Sequence, residues 1–334
     1  MDEFDQQREI DELRQALQRQ QRATARAKSK TDALVEAVYT AARDAAQAVG
    51  RAPAVAAPEK DRRRRDAEVA LVHATDWQLG KQTSGYDIET CAERVLRFAD
   101  RVCTLTDLQR SHHPVRRAVV MFGGDMVEGI SIFPGQAYEV EAHLFEQLFA
   151  CAGLLEQFVR RLLLSFDEVE VVCEYGNHGR LGRKGDMPAG DNIDRMAYRI
   201  AGDRFDLEAR VSWRTTGDWY QIVEVGAYRA LLVHGDEIKS FGGNTPAFGI
   251  LRKANAWATG VVEPFHDVYM GHFHTPMALT MANGGQVYVT GSPESENVYA
   301  AEFVAAKGKP SQRLHFVDPD KGRVSASYVV WLDD

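Results

Sequence analysis

From residue 68 onward the chain alternates short, almost unbroken apolar runs with longer segments whose apolar residues recur at helical spacing. The runs are VALVHAT (69–75), AVVMF (118–122), VEVVCEY (169–175), ALLVH (230–234) and VYM (268–270), and the helical segments lie near 89–109, 138–164, 191–203 and 246–258. Runs rich in β-branched residues with no polar face predict strands covered on both sides, and helices between them predict an α/β domain. The tail has a different texture. QVYVTG, RLHFV and VSASYVVWL follow one another closely and predict a second sheet, mixed or antiparallel.

The first 49 residues are free of Gly and Pro and rich in Gln, Arg, Glu and Ala, which predicts helix. Ile10, Leu13 and Leu17, then Leu34, Val38, Ala41, Ala45 and Val49, trace an apolar stripe too narrow for a core helix. Such a stripe suits a helical hairpin or a short coiled coil, so residues 1–49 are expected to bind a partner, most simply a second copy of the chain. GRAPAVAAPEKDRRRRD (50–66), with two prolines and four successive arginines, reads as a linker to a domain spanning 67–334.

Composition narrows the picture. With 334 residues and 45% hydrophobic content the chain can bury a large core. A formal charge of −8 spreads no positive field over the molecule, so a nucleic-acid partner would have to be met locally. The four cysteines (Cys91, Cys103, Cys151, Cys173) form no CxxC pair, which speaks against a cysteine zinc site or a disulfide framework and for a reducing cytoplasm. No apolar run is long enough to span a membrane, and MDEFDQQREIDELRQ is too polar for a signal peptide.

Chemistry enters at the strand ends. The five runs are followed by Asp76 in TDWQ, Asp125 in GGDMVEG, Asn177 and His178 in YGNHGR, His234 in VHGDE, and His272 and His274 in GHFH. Each alone is an ordinary turn residue. Together they bring oxygen and imidazole ligands to the carboxyl ends of strands, the edge where open α/β sheets build sites. The two histidines of GHFH alternate along an extended segment and so share one side.

In this combination the residues resemble the calcineurin-like metallophosphoesterases, whose pattern is D-x-H, G-D-x-x-D/E, G-N-H-D/E, an isolated histidine and G-H-x-H. The likeness runs from about Glu68 to Ser292, and TDWQLGK with GDMVE is most similar to SbcD-type DNA-repair nucleases and their phage-encoded relatives. The resemblance implies a four-layer αββα sandwich, here with an N-terminal helical extension, and two divalent ions, manganese first and magnesium second. It implies Asp76, position 78 and His274 on one ion, Asn177, His234 and His272 on the other, and Asp125 bridging both. It gives His178 a role beside the metals, protonating the leaving oxygen or steadying the pentacoordinate phosphate, and it implies a bacterial or phage-infected host cytoplasm.

Two positions depart from that pattern. Gly179 stands where an acid is usual, and Gln78 stands where histidine is expected. Either the Gln78 carbonyl serves as a neutral oxygen ligand, or the first ion is weak or absent. Arg180, Arg183 and Lys184 follow directly and are placed to hold a phosphate or a strand backbone, or else form a solvated basic loop. Three functions remain open: a metal-dependent DNA nuclease, which leads; a phosphodiesterase or phosphatase for small nucleotides; and a binding or assembly protein with a damaged site.

Overall fold

The computed structural model describes residues 54–59, 61–63, 65–130, 132–133, 135–182, 184–185, 187–188, 190–239, 246–294 and 309–333, together with Ala33, Glu36, Ala37, Thr40 and Asp44. The chain divides into two units, Met1–Arg51 and Ala52–Asp334. The five described residues of the first unit are helical, and Ala33, Glu36, Ala37 and Asp44 are exposed. The apolar stripe expected over residues 10–49 lies outside the described residues.

The second unit holds two sheets. Strands β1 (Glu68–Ala74), β2 (Val115–Phe122), β3 (Glu168–Cys173) and β4 (Val211–Thr215) run parallel, and β10 (Ser311–Asp318) and β11 (Arg323–Trp331) continue that sheet antiparallel beyond β1. The other sheet has the order β5 (Tyr220–Val225), β6 (Tyr228–Val233), β7 (Asp267–Met270), β9 (Gln286–Val289), β8 (Met277–Thr280). Helices α1 (Ile88–Arg110), α2 (Leu144–Leu163) and α3 (Ile193–Asp203) cover the first sheet, and α4 (Ala247–Ala256) covers the second.

Strand alternation builds these layers. In β1, Val69 and Leu71 face the other sheet, where they join Val119 and Met121 with Val223, Tyr228, Leu232 and Tyr269 in one buried cluster. On the outer side, Phe122 of β2 packs against Phe158 of α2, ring centroids 5.9 Å apart, with Trp77 wedged beside both. Leu231, Val233 and Val268 of the second sheet meet Ile250, Ala254 and Trp257 on its helical side. Each Val, Leu, Ile or Phe among these, buried completely, contributes roughly 1.5–3 kcal/mol. The four layers expected from the resemblance are present.

The division of strands between sheets differs from the expectation. RLHFV and VSASYVVWL do not form the second sheet; they extend the first, with Val72 opposite Leu314 and Leu314 opposite Tyr328. ALLVH and VYM, grouped by pattern with the first three runs, belong instead to the second sheet. Periodicity reports how many faces of a strand are covered, and β10, buried along nearly its whole length, carries no mark of which neighbour covers it. The second helix begins at Leu144 rather than near 138, because the Glu146 carboxylate accepts the His143 backbone N–H at 2.8 Å and caps it there.

The segment expected as a linker belongs to the second unit from Ala52 onward, and Val55, Asp61 and Arg63 lie against its body. Arg210 donates to the Val55 carbonyl at 2.8 Å, and Arg63 donates to the Arg110 carbonyl at 2.8 Å while forking onto Asp61. All four cysteines are free. No described helix is long and apolar enough to cross a membrane.

Candidate metal centre

The parallel register aligns the carboxyl ends of the first sheet: Ala74 lies opposite Phe122, and Phe122 opposite Cys173. Asp76, Asp125 and Asn177, two to four residues further on, therefore start from one edge. β6 and β7 of the facing sheet deliver His234, His272 and His274 to the same place. The backbone is bent to achieve this. Among the described residues six non-glycines have positive φ, and five of them are Asp76 (53°), Gln78 (43°), Asp125 (52°), His272 (66°) and His274 (53°). Left-handed backbone costs a side-chain-bearing residue roughly 1–3 kcal/mol and persists where the surroundings impose it. Gly271 lets the histidine segment close on the first sheet, since a Cβ there would stand 2.0 Å from Asp76 Oδ2.

Asp125, His234 and His272 offer three ligand atoms within 4.8 Å of one another. His234 Nδ1 lies 2.8 Å from the Gly123 carbonyl, to which it donates, so Nε2 turns inward, 3.0 Å from Asp125 Oδ2 and 3.2 Å from Asn177 Oδ1. His272 stands beside it, the two rings 5.2 Å apart and edge to face. Asp125 Oδ2 is buried, with the His234 imidazole as its charge partner. Burial alone would lower the His234 pKa, but Asp125 outweighs it and raises it well above the usual value; burial and the charged His234 push His272 down to about 4. A divalent ion fits here, taking the place of the proton that His234 Nε2 holds against Asp125 Oδ2, with Asn177 Oδ1 and His272 beside it.

His178 stands at the margin of this cluster. Its backbone N–H donates to Asp125 Oδ1 at 2.6 Å, its Nδ1 donates to the Glu128 carbonyl at 2.8 Å, and its Nε2 lies 4.0 Å from Asp125 Oδ2. Glu128 is itself buried, with Oε2 3.4 Å from Nδ1, and Gln136 donates to Glu128 Oε1 at 2.8 Å. Burial lowers the His178 pKa, but Asp125 and Glu128 outweigh it and hold it up to about 9. The ring is therefore an acid with its Nε2 proton facing the site at neutral pH.

The second set of expected ligands is differently arranged. His274 Nδ1 donates to Glu294 Oε2 at 3.1 Å, and His274 Nε2 lies 3.3 Å from Asp76 Oδ1 and 3.1 Å from the amide nitrogen of Gln78. Gln78 Oε1 points away, 3.3 Å from Lys81 Nζ, which pairs with Glu294 Oε1 at 2.7 Å. Asp76 accepts Thr75 Oγ1 at 2.8 Å and the His272 backbone N–H at 2.9 and 3.0 Å. Among the described residues no atom of Asp76, Gln78 or His274 is buried without a hydrogen bond. The Gln78 oxygen does not face this position, which leaves an ion there Asp76 and His274 alone.

Asp194 ties the loops together. Its Oδ2 accepts the backbone N–H of Asp125 at 2.9 Å and of Gly176 at 3.0 Å, and its Oδ1 accepts that of Met126 at 3.1 Å. This carboxylate enters from the first turn of α3, capped by Asn192 at 2.8 Å. Gly179 has no room for an acid: its Cβ would stand 2.3 Å from Asn192 Oδ1. Arg180 turns back, its Nε donating to the Asn177 carbonyl at 2.8 Å, and exposed Lys184 lies 3.4 Å from Asp236. Arg183 lies outside the described residues. Pattern reading passed over Lys81, Asp194 and Glu294 and left Glu128 undecided. The signals available were the Asn192-x-Asp194 cap and the acid after G-S-P at 291–293.

No protein-family model and no curated protein matches the chain. Solved structures with which it shares an outline include Vps29 complexed with zinc from Entamoeba histolytica, at 12% identity and TM-score 0.35 over 79% of this chain and 99% of that one. A predicted phosphoesterase from Streptococcus pneumoniae TIGR4 has 14% identity and TM-score 0.34 over 79% and 98%. A putative 5'-nucleotidase from Staphylococcus aureus has 12% identity and TM-score 0.36 over 80% and 55%. Identities and scores this low carry no functional weight; the chemistry rests on the side chains.

Proposed function

We propose that the chain is a metallophosphoesterase of the calcineurin-like kind that hydrolyses phosphodiester bonds in DNA. The observation that carries this reading is the buried convergence of Asp125 Oδ2, Asn177 Oδ1 and His234 Nε2, with His272 beside them and His178 at the margin. Asp125, Asn177, His234 and His272 would hold the ion, manganese in preference to magnesium given two imidazoles among the ligands. When bound, a divalent ion supplies Lewis acidity and a water of low pKa. His178, steadied by Glu128, gives its Nε2 proton to the leaving oxygen. Arg180 braces the Asn177 loop, and exposed Lys184 would meet the flanking backbone.

DNA is preferred over a small nucleotide for two reasons. The motifs TDWQLGK and GDMVE resemble those of SbcD-type nucleases, and the stretch beyond Glu128 exposes a series of aromatic rings. Phe133, Phe145 and Phe149 are partly exposed and Tyr138 is 93% exposed, and such rings stack on unpaired bases. Residues 1–49 would join two copies of the chain. The test is a manganese-supplemented assay of the full chain, offering single- and double-stranded DNA beside mononucleotide esters and cyclic nucleotides. Cleavage of DNA that a chelator abolishes supports the reading. Turnover of the small substrates alone would make it a nucleotide phosphodiesterase, and no turnover would leave a binding protein.

A further inference from the structure

The orientation of Gln78 is chosen by a neighbour that has no freedom to choose otherwise. A lysine ammonium only donates, so the amide group facing Lys81 must be the oxygen, at 3.3 Å. Lys81 in turn is fixed: its side chain is 11% exposed and it pairs at 2.7 Å with Glu294, whose side chain is 2% exposed. The other Glu294 oxygen holds His274 at 3.1 Å, and Glu294's backbone N–H is anchored on Ser292 Oγ, which donates to the Asp76 carbonyl at 2.6 Å. The amide nitrogen therefore faces inward, 3.1 Å from His274 Nε2 and 3.5 Å from His178 Nε2. An amide nitrogen carries hydrogens and has no lone pair to give a metal.

His274 fares no better as a ligand. Beside its Nε2 stand Asp76 Oδ1 at 3.3 Å and the Gln78 amide nitrogen at 3.1 Å, one oxygen and one group with no lone pair, where the Asp125 cluster brings two oxygens and two imidazoles together. Resting on the metal reading above, we propose that the Lys81–Glu294 pair locks Gln78 with its nitrogen inward. The centre then takes one divalent ion, at Asp125, Asn177, His234 and His272, where the family it resembles takes two. In place of the other cation the site offers the N–H groups of Gln78 to the oxygens of a bound phosphate.

Metal content decides this without reference to turnover. The full-length protein, saturated with manganese and freed of excess, is analysed by elemental mass spectrometry and by calorimetric titration, beside Lys81→Met and Gln78→His. The expected result is one ion per chain in the unaltered protein and a second, weaker equivalent in Lys81→Met, where the amide is free to turn its oxygen inward. Gln78→His, which needs no loss of the Lys81–Glu294 pair, should bind two and serves if Lys81→Met does not fold. Two ions in the unaltered protein would overturn the proposal and leave the metal centre standing. No ion in the unaltered protein would overturn the metal centre itself, and this proposal with it.

Discussion

The carboxylate of Asp194 accepts the backbone N–H of Asp125 at 2.9 Å, joining the first turn of α3 to the loop that carries the central ligand. The same group accepts Gly176 N–H at 3.0 Å, so it sets the distance between the Asp125 and Asn177 loops. Asp194→Asn would set an NH2 group against a backbone N–H. The expected loss is about 1–3 kcal/mol of stability, read from thermal unfolding, with manganese affinity weaker by roughly 10-fold. An unchanged melting temperature and metal affinity would remove Asp194 from the account.

His178 is expected to act as the acid. Burial lowers its pKa, Asp125 and Glu128 raise it further than that, and the value reached is about 9. The group is useful while protonated, so the rate is lost as pH rises through its pKa, which an ion on Asp125 sets below the metal-free value of about 9. Glu128→Gln removes one of the raising charges and should move this alkaline limb to lower pH. His178→Ala should cost about 100-fold in rate with metal content unchanged. Rate–pH profiles of the three proteins test both statements, and coincident alkaline limbs would deny Glu128 its role.

Glu174, at the end of β3, gives a stability prediction independent of metal. Burial, aided by Glu237, raises its pKa to about 9, and its Oε2 has no hydrogen bond. Because the folded value lies above the unfolded one, its contribution is fully present below pH 4.5 and lost as pH rises towards about 9. Glu174→Gln should flatten that decline and gain on the order of a few kcal/mol at the alkaline end. Denaturant unfolding at several pH values checks it; parallel curves for the two proteins would contradict it.

The narrow stripe of residues 1–49 predicts that their removal leaves a folded second unit of smaller assembly size. Light scattering on the truncated and full chains measures this. An identical mass for each unit count would mean the stripe does not join copies.

What pattern reading reached, and what it did not, has a physical division. Asp76, Asp125, Asn177, His234, His272 and His274 were legible because each follows a strand, and a strand's end is a local property. The assignment of RLHFV and VSASYVVWL to a sheet was not, because pairing across 242 residues of chain leaves no local trace: Val72 meets Leu314. Glu294 was missed for the same reason, since its partners Lys81 and His274 come from distant loops. Gln78 was legible as an oddity but not in its meaning, which depends on which end of the amide Lys81 takes. The positive φ values of Gln78 and of four expected ligands belong to the fold alone.

The central claim is that Asp125 gathers a catalytic divalent ion. The most direct measurement pairs metal content with phosphodiester hydrolysis in the unaltered chain and in Asp125→Ala. The account predicts bound manganese and DNA cleavage in the first, and loss of both together in the second while thermal unfolding remains cooperative. Retention of metal and full turnover by Asp125→Ala would contradict it.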